Sequence, residues 1–294
     1  MSTGGILSTY FSLIKISHTI FALPFAFLGF FIGVKAVGSG SHLVLLLLIT
    51  LCMFFARSAA MAFNRYADRK IDIKNPRTAV REIPSGKIAA ARVLGLVVLN
   101  CLAFITTTWF INPLCFYLSP LALLIVLGYS YTKRFTLWCH FVLGLGLALA
   151  PVGAYIAVTG YFDIIPILFG WGVLFWVAGF DIIYALQDEE FDRRENLISV
   201  PVVLGRDKGL GAARMAHFIS VVFFMVATWL MIDILSLSGG FSYAGLLVFT
   251  LLLIFQHRLV RAGDLSRVNL AFFTTNGIGS ILFAGFLILD LISS

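Results

Sequence analysis

Two acidic strings carry the side chains best suited to chemistry. The first reads Asn64-Arg65-Tyr66-Ala67-Asp68-Arg69-Lys70-Ile71-Asp72 and sets Asn64, Asp68 and Asp72 four residues apart. On a helix this spacing makes one polar stripe, about 12 Å long at 1.5 Å per residue. The second runs from Asp181 to Asp192, and Asp181, Tyr184, Asp188 and Asp192 share a helical face in the same way. Brought to one place, these carboxylates repel, and a hard divalent cation relieves the repulsion. Neither string contains histidine or cysteine. An oxygen-only donor set selects Mg²⁺ over zinc or copper. Magnesium is held through a few carboxylates together with substrate phosphates. Asn64, Asp68, Asp72, Asp181, Asp188 and Asp192 are therefore the candidate metal ligands, and the implied substrate is a diphosphate bridged to both rows. The five aspartates are the candidate catalytic residues.

Basic residues accompany the acids. Arg77 and Arg81, four residues apart in Asn75-Pro76-Arg77-Thr78-Ala79-Val80-Arg81, suit the oxygens of a phosphate. Lys133 and Arg134 follow Tyr129 and Tyr131, and Arg57 lies two turns before Asn64. A single acid pair at a helix end is ordinarily a solvated face, and Lys133-Arg134 alone read as topology determinants. Two acid rows, each with a further polar residue upstream and both on one membrane side, argue for a site. Arg193, Arg194, Arg258 and Arg261 read as topology charges. The five histidines are scattered and suggest no metal site; His18, near the inner end of the first helix, is the one placed to touch a substrate. Cys52, Cys101, Cys115 and Cys139 show no ligand or CxxC spacing and read as small packing residues.

The elements that position these residues must cross a membrane. The 294 residues are 60% hydrophobic and only 12% charged, with a mean hydropathy of +1.00. A soluble domain carries about a quarter charged residues. The 29 phenylalanines suit lipid-facing surfaces. Spans need roughly 20 apolar residues, and about nine candidates fit, near 17–36, 42–63, 90–110, 113–131, 138–159, 163–186, 212–232, 239–257 and 268–290. The first is read as an uncleaved helix rather than a signal peptide. Backbone groups in lipid need internal partners, so these spans are helices. With the N-terminus inside, 20 of the 21 lysines and arginines fall on the cytoplasmic side and only Lys35 falls outside. The expected fold is all-α: a single polytopic domain over 1–294, with helices around a central cavity open to the cytoplasm, N-terminus in and C-terminus out. Connections of about 64–89 and 187–211 carry the acidic strings. The net charge of +7 is spread between spans, which points to a membrane surface and not to nucleic acid. No obligate protein partner is evident. Asp181 lies inside an apolar run, where a carboxylate is costly and marks function.

At these residues the sequence resembles the UbiA superfamily of membrane prenyltransferases, over most of its length. NRYADRKID is similar to the family's first aspartate motif, and YALQDEEFD, preceded by Asp181, to its second. GYSYTKRFT matches the Tyr-x-x-x-Lys segment through Tyr129 and Lys133, and NPRTAVREIPSGKI resembles the arginine-containing loop. KISHTIFALPFA and LALAPVGAYIAVTG look like the 4-hydroxybenzoate polyprenyltransferase branch. The resemblance implies nine helices around a cavity, with Asn64 and the five aspartates holding Mg²⁺ and diphosphate. It implies that Arg77, Arg81, Tyr129 and Lys133 support the diphosphate, with Arg57 near it.

The implied reaction, in the inner membrane with its site facing the cytoplasm, moves a polyprenyl group from its diphosphate to the ring of an aromatic acid. 4-Hydroxybenzoate, on a ubiquinone route, is the first acceptor; a dihydroxynaphthoate, on a menaquinone route, is the second. One departure is Arg65, which stands where many members carry aspartate. It either pairs with a nearby acid or binds an acceptor carboxylate; Arg65, His18 and Tyr184 are the acceptor-side candidates. A secondary transporter is the reading from another class, but transporter sites lie near the midplane, and these acids cluster at one edge. The Asp-x-x-Asp-Gly-x-x-Ala-Arg string of CDP-alcohol phosphotransferases does not occur.

Overall fold

The computed structural model describes Tyr10, Ser12, Leu13, 21–38 and 42–293. His18 lies outside the described residues. Nine principal helices occur among those described: α1 Leu23–Val37, α2 Leu43–Ala67, α3 Ala90–Trp109, α4 Pro113–Thr132, α5 Cys139–Thr159, α6 Ile164–Ala185, α7 Val200–Leu235, α8 Gly240–Leu259 and α9 Asn276–Ser293. Eight are long and apolar enough to cross a membrane, counting α6 and α9 with the short segments that adjoin them; α1 is shorter. No strand occurs among the described residues, only the isolated bridge Arg261–Asp264. The chain is an all-helical integral membrane protein.

Local chemistry sets the helix ends. Proline occupies the first turn of α1, α4 and α7, where no N–H partner is needed. The Asn112 side chain accepts from Cys115 N–H (2.9 Å) to cap α4 and donates to the end of α5 at Ile156 O (2.9 Å). Asp290 of α9, fully buried, accepts from Ser242 N–H (3.0 Å) and the Ser238 hydroxyl (2.6 Å), which pins α9 to the start of α8.

Neighbouring helices close a ring from α1 through α2, α4, α5, α6, α7, α8 and α9 back to α1, and α3 leans on α2 and α4. A further seam between α1 and α5 crosses the ring and divides the bundle in two. Glycine makes such seams possible. A Cβ on Gly29 of α1 would stand 2.1 Å from Pro151 O of α5, and one on Gly144 of α5 would stand 2.3 Å from Leu174 O of α6. Only a residue without a side chain allows these backbones to approach so closely.

The half formed by α1 and α5–α9 is filled by aromatic rings. Phe25 packs on Trp176 at 5.4 Å and Phe224 on Phe283 at 4.7 Å between ring centroids. Phe25, Phe169, Phe224, Phe249 and Phe283 are fully buried, so a large share of the phenylalanine faces the protein core and not lipid. The half formed by α2–α5 instead encloses an apolar cavity of about 320 Å³, walled by residues such as Ile49, Met53, Phe104, Leu118 and Ala150.

Two helices depart from the expected boundaries. The segment expected as a connection to 211 is helical from Val200, because Pro201 starts a helix as readily as it ends one, and charged Arg206, Asp207 and Lys208 lie along α7. Gly205 interrupts α7 with φ 79° and ψ 172°, a conformation only glycine adopts without strain. Before α9, Leu270–Thr275 forms a π-helical turn. Side chains take over its carbonyls: Gln256 donates to Ala271 O (3.1 Å) and Asn276 to Phe272 O (2.9 Å), while Asn276 Oδ1 accepts from the Trp176 indole (3.0 Å).

Candidate active site

Both acidic strings lie at the same end of the bundle. Asn64 occupies the last turn of α2, which stops at Ala67 with Asp68 as its cap. A short helix, Arg69–Asp72, then carries the row on. The expected continuous stripe is thus broken at Asp68. Hydrogen bonds still tie it together, from Asp68 N–H to Asn64 O (2.9 Å) and Asp72 N–H to Asp68 O (2.8 Å). The second row is also segmented. Asp181 and Tyr184 ride on α6, Asp188 on the 3₁₀ turn Leu186–Asp188, and Asp192 on the helix Glu189–Arg194. All these residues wall one polar cavity of about 540 Å³.

Within the cavity, the acids are closed onto cations. Arg77 grips Asp188 with two nitrogens, one at 3.0 Å, and its third reaches the Tyr184 hydroxyl at 3.0 Å. Asn75 donates to the same carboxylate at 3.3 Å. Arg81 Nη1 lies 2.7 and 2.9 Å from the two oxygens of Asp72. Lys133 Nζ lies 2.6 Å from Asp192 Oδ2. Arg134, read from the sequence as a topology charge, meets Asp68 at 3.1 Å and Ala67 O at 2.7 Å. Arg77 and Arg81 lie in a turn-rich segment, and each serves a different acidic row. Burial alone would lower the Arg77 and Lys133 cations, but Asp188 and Asp192 hold each above its ordinary range. Burial pushes the Asp68 carboxyl up, against the pull of Arg134.

Arg65 is 4% exposed and stands 3.8 Å from Glu82. Glu82 also receives the Ser12 hydroxyl at 2.5 Å. Of the two expectations for Arg65, the structure supplies the neighbouring acid. Glu82 escaped sequence reasoning, although an arginine in a carboxylate's usual place calls for a compensating acid nearby. Arg57 is half-buried within α2 beside Tyr129, and its Nε meets no hydrogen-bond partner among the described residues. Arg57, Tyr129, Leu143 and Leu147 wall both the polar and the apolar cavity, so the two adjoin there. Phe272, from the π-helical turn, lies on the Tyr184 ring at 4.2 Å between centroids and faces the polar cavity.

A histidine does join the cluster, contrary to the sequence expectation. His140, at the start of α5, has Nδ1 2.7 Å from Asp181 Oδ2, and its Nε2 accepts from Val200 N–H at 3.3 Å. Both ring nitrogens are engaged, so the ring has no lone pair for a metal. The donor set that remains is oxygen, which fits a hard cation. Among the described residues no three acidic, histidine or cysteine side chains already converge on one point. Four of the carboxylates stand apart on separate cations, and a metal would take them by exchange.

Comparisons with known proteins agree with this geometry. The profile of the UbiA prenyltransferase family matches residues 22–278. A 4-hydroxybenzoate octaprenyltransferase of Tolumonas auensis is 32% identical over 244 residues, 83% of each chain. That of Nitrosomonas europaea is 32% identical over 286 residues, 96% of this chain and 94% of its own. A UbiA homolog from Aeropyrum pernix K1 superposes with a TM-score of 0.81 at 28% identity, covering 93% of this chain and 98% of that one. The fold is shared with a UbiA homolog from Archaeoglobus fulgidus bound to DMAPP and Mg²⁺, at TM-score 0.72 and 22% identity, covering 97% and 99% of the two chains. An all-helical bundle whose two aspartate strings wall one cavity, matched by profile, sequence and structure alike, belongs to the UbiA prenyltransferase family.

Proposed function

We propose that this protein transfers a polyprenyl group from polyprenyl diphosphate to a ring carbon of an aromatic acid, with 4-hydroxybenzoate as first acceptor, in quinone biosynthesis. The carrying observation is the junction of the two cavities: a charged chamber suited to a diphosphate opens at Arg57 and Tyr129 into an apolar chamber suited to its tail. Lysine and arginine placement supports a cytoplasmic face for the charged chamber, in the inner membrane on this reading. Asn64, Asp68, Asp72, Asp181, Asp188 and Asp192 would hold Mg²⁺, which supplies positive charge to the departing diphosphate.

The chain's own residues do the rest. Arg77, Arg81 and Lys133 leave their carboxylates for phosphate oxygens and stabilise negative charge as the C1–O bond breaks. Diphosphate departs with the bonding electron pair. The acceptor ring attacks C1, a carbon–carbon bond forms, and the ring carbon then releases its proton. Phe272 and Tyr184 wall the chamber, exclude water and favour the allylic cation through their ring faces. A dihydroxynaphthoate is the second acceptor to test, because Arg65 adds a buried cation to the chamber.

Purified protein with Mg²⁺, octaprenyl diphosphate and either acceptor tests the reading. Prenylated product is expected, and EDTA or Asp68→Ala should abolish it. Full transfer in EDTA would sink the metal assignment, and no transfer to any aromatic acid would sink the function.

A further inference from the structure

His140 takes no part in the scheme above, yet it is 1% exposed and touches the one cavity carboxylate that, among the described residues, is not closed onto a lysine or arginine. Asp68, Asp72, Glu82, Asp188 and Asp192 each face an arginine or lysine; Asp181 faces this ring. Geometry fixes where the ring carries its proton. Val200 is the first residue of α7, and the Ser199 side chain makes no capping bond there. The free N–H of such a helix start needs an acceptor, and His140 Nε2 provides it at 3.3 Å. A backbone N–H can only donate, so Nε2 presents its lone pair. Nδ1 is then the nitrogen placed to donate, and it points at Asp181 Oδ2 from 2.7 Å.

We infer that His140 is a positioning residue: seated on the start of α7, it holds the Asp181 carboxylate in one orientation. Three elements meet at this ring, since α5 carries it, α6 carries Asp181 and α7 supplies the N–H. Without the donor, Asp181 is released toward Lys133, which lies within its electrostatic reach. Removing outer partners that orient such ligands ordinarily costs about 10–100-fold in affinity or activity.

The inference rests on the proposed function for its kinetic test but not for its spectroscopic one. In nanodisc-embedded protein labelled with ¹⁵N-histidine, the signal missing from His140→Asn identifies the ring. A protonated Nδ1 is expected. An Nδ1 without a proton overturns the inference whether or not the protein transfers prenyl groups. The kinetic arm compares two variants. Asn places an amide N–H where Nδ1–H stood and loses the Val200 contact; Gln does the reverse.

His140→Asn should keep kcat/KM within about threefold, and His140→Gln should lose roughly 10–100-fold. The thermal midpoint should rank the other way, with Gln the more stable. Activity that simply follows the midpoint means a structural role only and overturns the inference. In the background of Asp181→Asn, His140→Gln should cost nothing further; a full second loss also overturns it. If wild type transfers to no acceptor, the functional reading fails alone, and the spectra decide for His140.

Discussion

Four of the five aspartates suited to a metal are closed onto cations suited to a phosphate, so substrate entry amounts to an exchange of partners. Arg77 and Asp188 show this most clearly, because the guanidinium fork spends two nitrogens on Asp188 and a third on Tyr184. Replacing Asp188 by Asn should free that fork. Magnesium-free binding of prenyl diphosphate is then expected to tighten severalfold, while magnesium-dependent transfer is lost; equilibrium binding with and without EDTA checks both. Arg77→Lys keeps the charge but not the fork. A fall of at least about tenfold in kcat/KM is expected, since a charge-assisted bond contributes roughly 1.5–3 kcal/mol. The types of these residues were legible in the sequence, and so was their gathering at one end. Their pairing was not: Arg77 and Asp188 are 111 residues apart, His140 and Asp181 are 41 apart, and no local spacing records a contact made across the bundle.

At the scale of elements, the site depends on helices that stop behaving as regular α-helices near it. The chain after α6 tightens into a 3₁₀ turn at Leu186–Asp188, and the approach to α9 widens into a π-helical turn. Such irregularities free backbone groups, which in a membrane must be satisfied by side chains. Asn276 serves two of them, the carbonyls of Ala271 and Phe272, and also accepts from the Trp176 indole. Asn276→Leu should destabilise the protein by about 1–3 kcal/mol for each group left buried without a partner, read as a lowered thermal midpoint. It should also let Phe272 shift from Tyr184 and raise the share of prenyl diphosphate hydrolysed to alcohol, measured as the alcohol-to-product ratio. Hydropathy located the spans because lipid demands long apolar runs. It misplaced the start of α7, where Pro201 and the charges of 206–208 look like a loop yet are helical on either side of the break at Gly205, and it had no signal for the π-helical turn.

Over the whole molecule, the seam between α1 and α5 separates a half packed with rings from a half holding an apolar chamber. Gly153 of α5 borders that chamber, and a Cβ there would meet nothing within 4 Å. Gly153→Phe should therefore shorten the tail the protein accepts, with octaprenyl diphosphate turnover falling at least about tenfold relative to geranyl diphosphate; equal losses on both would argue against the chamber as tail site. A fully buried phenyl group removes roughly 1.5–3 kcal/mol worth of apolar contact surface from another occupant, which sets that scale. The clasp between Ser12 and Glu82 has a practical corollary. Because the Ser12 hydroxyl bonds an acid that lies against Arg65 in the chamber wall, trimming the leading segment through Ser12 alters the catalytic end of the bundle. The last turn of α9, at Ser293, emerges at the opposite end, so purification handles and fluorescent fusions belong after α9.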